Sequence, residues 1–294
     1  MAALGKQVLA LPDGRKLGYC TVGSGSPVIY FHGTASSRLE VLLLKDFAEK
    51  SGLQIVGFDR PGYGLSTYRK RKSLHDFNGD VNFLAEHLGF EQFGVLGWSG
   101  GGTFALAYLA QHPERVTKAV VADSPSLPFD VSNAHDFPFS KYVMKLHFIG
   151  VLAMRQFRRS VLKANGDSSA FLKSKQVKQM LRGYTESDLQ FFSNPAWAKL
   201  MFQSMAEAFR QECGVTAVVD EHMLFLKPWG FSFSKVPVGK LVVWQGAEDK
   251  TCNVRNAYAL ARLVGGSDLA VFAGRGHCVL FENLDKMVEF LVLQ

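Results

Sequence analysis

Ser99 restricts this chain more than any other residue, because Gly97-Trp98-Ser99-Gly100-Gly101 joins two runs of different character. Before it, Phe93–Gly97 (FGVLG) is an apolar run of strand length. After it, Gly101–Gln111 has the length and composition of a helix. A chain passing from strand to helix here must turn sharply, and flanking glycines let neighbouring backbone approach without Cβ clashes. Such a turn exposes the serine hydroxyl at a sheet edge, the geometry of a nucleophile elbow. A phosphate-binding loop needs a Lys-Ser/Thr pair and a dinucleotide loop needs G-x-G-x-x-G; neither is present.

The remainder of the chain repeats the alternation. Val8–Leu11 and Leu17–Thr21 flank Pro12-Asp13-Gly14 and read as a hairpin. Pro27–Phe31, Leu53–Phe58, Val116–Ala122, Lys240–Trp244 and Leu269–Phe272 read as buried strands. Ser37–Lys50, Leu74–Leu88, Asn253–Leu263 and Phe281–Leu293 read as helices between or after them. This order specifies an α/β fold with a mostly parallel sheet and crossover helices. Residues 1–124 and 236–294 make the core domain. Residues 125–235 show no clear strand pattern and read as a helical cap, inserted where open α/β sheets bind ligands.

A serine hydroxyl is a weak nucleophile until a base takes its proton. In a strand–elbow–helix architecture the partners follow in the order Ser, acid, His. His277, in Gly274-Arg275-Gly276-His277 after the last strand, is the one histidine of eight in the topological position for the base. His75, His87 and His112 belong to helices or their ends. For the acid, Asp249 follows the strand KLVVW and is favoured; Asp123, one strand earlier, is its rival, and the adjacent Glu248 should point elsewhere. An oxyanion needs two preorganised N–H donors. They are assigned to Gly100, directly after the serine, and Thr34, in the loop after PVIYF; His32 in that loop reads as structural. Trp98, beside the serine, is assigned to the substrate pocket.

With these residues in hand, the chain resembles the α/β-hydrolase (abhydrolase) superfamily over nearly its full length. The segments FHGTASSRLE, GFDRPGYGLS, GWSGGG, WQGAED and GRGHC stand in the order and spacing of its serine-nucleophile branch. The resemblance implies an eight-stranded, mostly parallel sheet. HGTAS replaces the HGGG loop of many lipases and esterases, and the elbow serine sets the chain apart from relatives with an Asp nucleophile. Ala35 stands where relatives often carry proline, which would loosen the loop.

Composition narrows the function further. The chain has 294 residues, 47% hydrophobic and 20% charged, enough to bury a large core. Its net charge of +7 is concentrated between Pro125 and Lys235, where fourteen Lys and Arg stand against nine Asp and Glu. Without a nucleic-acid motif this reads as a solvated basic face, with no nucleic-acid partner. His147–Lys163 sets Arg155, Arg158 and Arg159 beside apolar residues; packing on the core is preferred to membrane-surface contact. Cys20, Cys213, Cys252 and Cys278 lack metal or disulfide spacing, so no metal and no cofactor are expected. Lys6 and Gln7 interrupt the apolar N-terminus, which argues for a cytoplasmic protein. Thirteen Phe between Phe129 and Phe233 predict a small apolar acyl or aromatic substrate. Hydrolysis of a carboxylic ester, or less readily a thioester or lactone, leads. Lyase, perhydrolase or cofactor-free dioxygenase chemistry, or a small-molecule receptor, are the alternatives on one scaffold.

Overall fold

A computed structural model describes residues 5–125, 146–164 and 184–291. Eight strands form one sheet in the order β1-β2-β4-β3-β5-β6-β7-β8. They are β1 (Gln7–Ala10), β2 (Lys16–Gly23), β3 (Ser26–Phe31), β4 (Leu53–Phe58), β5 (Phe93–Trp98), β6 (Val116–Ala122), β7 (Leu241–Gly246) and β8 (Asp268–Phe272). β2 is antiparallel to both β1 and β4; β3 to β8 are parallel.

Alternation places successive residues of a strand on opposite faces. In β3, Ile29 and Phe31 enter one apolar layer and Val28 and Tyr30 the other. The first layer is closed by α2 (Asn78–His87), α3 (Gly100–Gln111) and α8 (Val254–Leu263). A 3₁₀ helix (Arg38–Leu44), α1 (Lys45–Ser51), α9 (Val279–Glu282) and α10 (Leu284–Leu291) close the second. Chain order reverses at β3, with β4 on one side and β5 on the other. The crevice at the carboxyl ends of β3 and β5 is therefore the expected ligand site.

Three helices differ from the sequence reading. Ser37–Lys50 starts as a 3₁₀ helix, because Arg38, Val41 and Leu44 are buried at a spacing of three. The helix expected from Leu74 starts at Asn78, since Asp76 accepts from the Lys72 and Ser73 amides and from the Ser73 hydroxyl, a local turn that competes with a helix. The closing helix breaks at Asn283, whose side chain donates to the Val279 carbonyl at 2.9 Å.

Between β6 and β7 the described residues are helical: α4 (His147–Lys163), α5 (Glu186–Ser193), α6 (Pro195–Ala208) and α7 (Cys213–Phe225). The expected cap residues 126–145 and 165–183, with Phe129, Phe137, Phe139 and Phe171, lie outside the described residues. The inner side of α4 packs as expected, with Val161 and Phe157 against Phe202, Phe209 and Tyr63. Its outer side does not: Phe148 is 71% exposed, with Ile149, Leu152 and Leu162 also exposed beside Arg155. No helix among the described residues is long and apolar enough to cross a membrane.

A buried ion pair ties the core to these inserted helices. Asp59, just after β4, accepts from the Arg38 amide at 2.8 Å, the Arg38 guanidinium at 2.6 Å and the Leu65 amide at 2.8 Å. Arg38 also reaches Glu207 on α6 at 2.9 Å. Asp59→Ala would leave the buried Arg38 with Glu207 as its remaining acidic partner and the Leu65 and Arg38 amides without their acceptor, and urea denaturation should record a loss of about 3 kcal/mol.

Candidate active site

Ser99 occupies φ 53° and ψ −132°, outside the regions open to most L-residues. Packing holds it there. A Cβ on Gly97 would meet the Gly102 backbone and Ala105, and one on Gly101 would run into the Phe31 and His32 carbonyls. Only glycine at both positions lets α3 sit this close to β3 and β5. The Ser99 amide donates to the Ala122 carbonyl at 2.9 Å, which pins the elbow to β6. Although Ser99 is the N-cap residue of α3, its hydroxyl makes no capping bond. It lies 2.9 Å from Nε2 of His277 instead.

His277 stands in the loop between β8 and α9, and its Nδ1 lies 2.8 Å from Oδ2 of Asp249. A carboxylate can only accept, so Nδ1 carries the proton and Nε2 offers its lone pair to the serine hydroxyl. Asp249 is fixed in turn: Oδ1 accepts from the Thr251 and Cys252 amides at 2.7 and 2.9 Å, and Oδ2 from Gln245 at 3.1 Å. Burial by itself pushes the imidazole's pKa down, but the Asp249 carboxylate more than offsets it and His277 stands above its ordinary value.

Of the two candidate acids, Asp249 is the one that meets the imidazole. Asp123 lies one strand away, accepting from the Gly246 amide at 2.9 Å and the Val279 amide at 3.2 Å. Burial, and then the Asp249 carboxylate, push the Asp123 carboxyl well above the usual range. Gln245 donates to both acids, at 3.3 and 3.1 Å. Glu248 is exposed and turned away. Ligand atoms of Asp249, Cys252 and His277 lie within 4.8 Å of one another. The Cys252 thiol is pushed well up by burial, and the Asp249 carboxylate is engaged with the His277 imidazole.

Thr34 and Gly100 are brought together: a Cβ on Gly100 would run into the Thr34 side chain and then the tip of Phe225. Ser99, Thr34 and Ala35 are partly open to solvent amid buried neighbours. Ala35 has φ 61°, a value that the proline ring, locked near −65°, cannot adopt. Alanine here therefore sets a different loop path rather than loosening the loop. His32 is buried with Nδ1 bonded to the Gly33 carbonyl at 2.8 Å; burial, and then Arg60, push its pKa well down, so it is neutral. Trp98 is buried against the histidine. Its indole N–H donates to the His277 carbonyl at 2.8 Å, and its ring packs 5.1 Å from the rings of both His277 and Phe281. The indole supports the imidazole from the core.

Several polar groups at the site escaped the sequence reading. Glu40 accepts from the Gly33 amide at 2.9 Å and from Tyr30 at 2.6 Å. Ser187 accepts from the Gly276 amide at 3.1 Å, and Asp188 from the Cys278 amide at 2.9 Å, so the start of α5 grips the histidine loop from both sides. Tyr184 meets the His277 ring edge-on at 6.3 Å. None carries a local motif; burial of Glu40 on an otherwise apolar stretch is the one signal the sequence held.

The family profile for the alpha/beta hydrolase fold matches residues 26–284, and the chain belongs to that family. A proline iminopeptidase of Xylella fastidiosa (strain 9a5c) is 25% identical, over 96% of this chain and 93% of the relative. Among solved structures, the esterase EaEST from Exiguobacterium antarcticum superposes with a TM-score of 0.63 at 22% identity, covering 98% of each chain. Est816, described as an N-acyl homoserine lactone degrading enzyme, gives 0.66 at 21% identity, covering 96% of this chain and 98% of Est816. These likenesses show the same fold, over 96 to 98% of this chain.

Two measurements follow from this geometry. NMR titration should place the His277 imidazole above the ordinary value of about 6.5. In Asp249→Asn the burial penalty stays and the carboxylate goes, so the same titration should move below that value. Ala35→Pro should lower the unfolding free energy by more than about 1 kcal/mol, read by thermal or urea denaturation.

Proposed function

We propose that this protein is a serine hydrolase that cleaves a carboxylic ester of a small apolar substrate through an acyl-Ser99 intermediate. The observation that carries the reading is the relay from the Ser99 hydroxyl through His277 to Asp249, with contacts of 2.9 and 2.8 Å. In this reading His277 takes the hydroxyl proton as the oxygen attacks the ester carbonyl, and Asp249 stabilises the imidazolium. The Thr34 and Gly100 amides stabilise the tetrahedral oxyanion. His277 then protonates the departing alkoxide, and water, deprotonated by the same ring, releases the acid.

The helices between β6 and β7 are assigned to a cap that shapes the acyl pocket. Its aromatic residues approach the site: Tyr184 touches His277, and Phe191 packs on Phe281 at 5.3 Å and on Trp197 at 5.0 Å. Such a lining favours an apolar acyl or aromatic group.

The name of the Xylella relative raises a second reading, removal of an N-terminal proline. Holding a protonated amine takes an ionised carboxylate free to accept it. Among the described residues Glu221 is taken up by Arg60 and Arg71, whereas Asp188 accepts from the Cys278 amide, Asp220 from Tyr68, and Glu40 from Tyr30 with its second oxygen unpartnered. The ester reading therefore rests on the relay, and the comparison of ester with proline anilide substrates decides between the two.

p-Nitrophenyl esters of increasing chain length should be turned over far better than proline p-nitroanilide, with acid and alcohol as the only products. Ser99→Ala should reduce kcat by several orders of magnitude, on the order of 10⁴-fold or more. A fluorophosphonate probe should label Ser99 and lose that reaction in His277→Ala. Undiminished turnover by Ser99→Ala, free of contaminating enzyme, would remove the reading.

A further inference from the structure

Among the described residues a cluster of buried charges lies outside the Ser99–His277–Asp249 relay. Glu221, on α7, is fully buried and accepts from Arg60 Nε at 2.6 Å and Nη2 at 2.9 Å, Arg71 Nη1 at 2.6 Å and the Tyr63 hydroxyl at 2.8 Å. Thr34 Oγ1 lies 3.4 Å from the same carboxylate. Burial pushes the Glu221 pKa up, yet the two guanidinium groups more than offset it, and the group stays ionised far below the usual carboxylate range. Arg60 is equally buried and turns its remaining donors to the loop after β3: Nη1 to the His32 carbonyl and Nη2 to the Gly33 carbonyl at 3.3 Å. Those two carbonyls belong to the peptide units on either side of Gly33, and the second carries the amide of Thr34. Arg60 therefore binds one face of the peptide group whose N–H is assigned to the oxyanion, and Glu221 fixes the plane of Arg60.

We infer that Glu221 and Arg60 are positioning residues that aim the Thr34 amide at the reacting carbonyl oxygen, so that an inserted helix completes the oxyanion hole of the core. The inference rests on the acyl-Ser99 reading. Its physical content is that the Thr34 N–H is coplanar with and trans to the Gly33 C=O: that carbonyl, accepting from His32 Nδ1 at 2.8 Å and Arg60 Nη2 at 3.3 Å, fixes the direction of the N–H. A donor fixed in advance needs no reorganisation as negative charge develops. Arg71 provides the contrast. It reaches Glu221 and the Ala217 carbonyl at 3.1 Å, both on α7, and touches neither loop carbonyl. Arg71 balances charge, whereas Arg60 transmits position.

Three variants of the full chain separate the roles: Glu221→Gln, Arg60→Lys and Arg71→Lys, with Ser99→Ala as control. Active sites are counted by fluorophosphonate burst, and kcat is expressed per titrated site on a p-nitrophenyl ester, well below the unfolding temperature. Glu221→Gln and Arg60→Lys should lose about 10- to 100-fold in kcat per site with KM within about threefold, as for other outer contacts that orient a reacting group. Affinity for a boronic acid, which mimics the tetrahedral state, should fall in parallel. Arg71→Lys should stay within about twofold per site, whatever it loses in melting temperature. A purely structural ion cluster would lower the number of competent sites and leave kcat per site unchanged in all three. If Glu221→Gln does not fold, Arg60→Lys, which keeps the charge but loses the fork, decides alone. Wild-type kcat per site in Arg60→Lys overturns the inference; activity remaining in Ser99→Ala overturns instead the serine reading beneath it.

Discussion

The close seating of α3 against β3 and β5 is the constraint on which the rest of the site depends. It forces a non-glycine residue, Ser99, to φ 53°, at a cost of order 1–3 kcal/mol. Two more non-glycine residues with positive φ stand at the carboxyl ends of adjoining strands: Ala35 beyond β3 at 61° and Asp123 beyond β6 at 50°. Three strained turns at neighbouring strand ends exceed what chance would place there. Each sits where a parallel strand hands the chain to a loop at the sheet's working edge. The buried layers on both sides of the sheet hold these turns, since relaxing any one would unpack α3 or break the β6–β7 register.

Electrostatics at that edge follows from the same burial. Two carboxyl groups, Asp123 and Asp249, share one donor in Gln245, and a dry site cannot ionise both at ordinary cost. The pair is resolved by partners. Asp249 has two backbone amides, Gln245 and an imidazole, whereas Asp123 has backbone amides and the same glutamine but no cation. Asp249 is the acid that meets His277, and the carboxyl pushed upward is that of Asp123 beneath it. Trp98, by donating to the His277 carbonyl, and Ser187 and Asp188, by accepting from the amides on either side, hold the histidine loop so that the ring faces Ser99.

How much of this the sequence carried depends on distance along the chain. Strands, their order and the residues that end them were legible, because hydrophobic period and glycine punctuation are local signals. Ser99, His277 and Asp249 could be picked out since each closes or follows a strand, so topology alone delivers them to one edge. Helix starts were less legible where a side chain competed for the backbone, as Asp76 and Asn283 do. The bond from the Trp98 indole to the His277 carbonyl was not legible, because the two residues are 179 apart in sequence. Glu221 and Arg60 stand 161 residues apart, and no local pattern links a carboxylate on one amphipathic helix to a guanidinium after a distant strand.

The inserted helices grip the core through polar contacts at several separated places. Glu221 on α7 holds Arg60 and Tyr63 beside the loop after β3. On α6, Ser204 binds Ser36 and Ser37 at 2.8 and 3.0 Å and Glu207 meets Arg38 at 2.9 Å. Ser187 and Asp188 on α5 hold the loop that carries His277. A lid that opened by lifting as a whole would have to break all of these, leaving buried charges unpaired at several kcal/mol each. On its outer side, by contrast, α4 is bonded through exposed pairs such as Arg155 with Glu212. The helices nearest the reacting atoms are better regarded as walls of the active site than as its door.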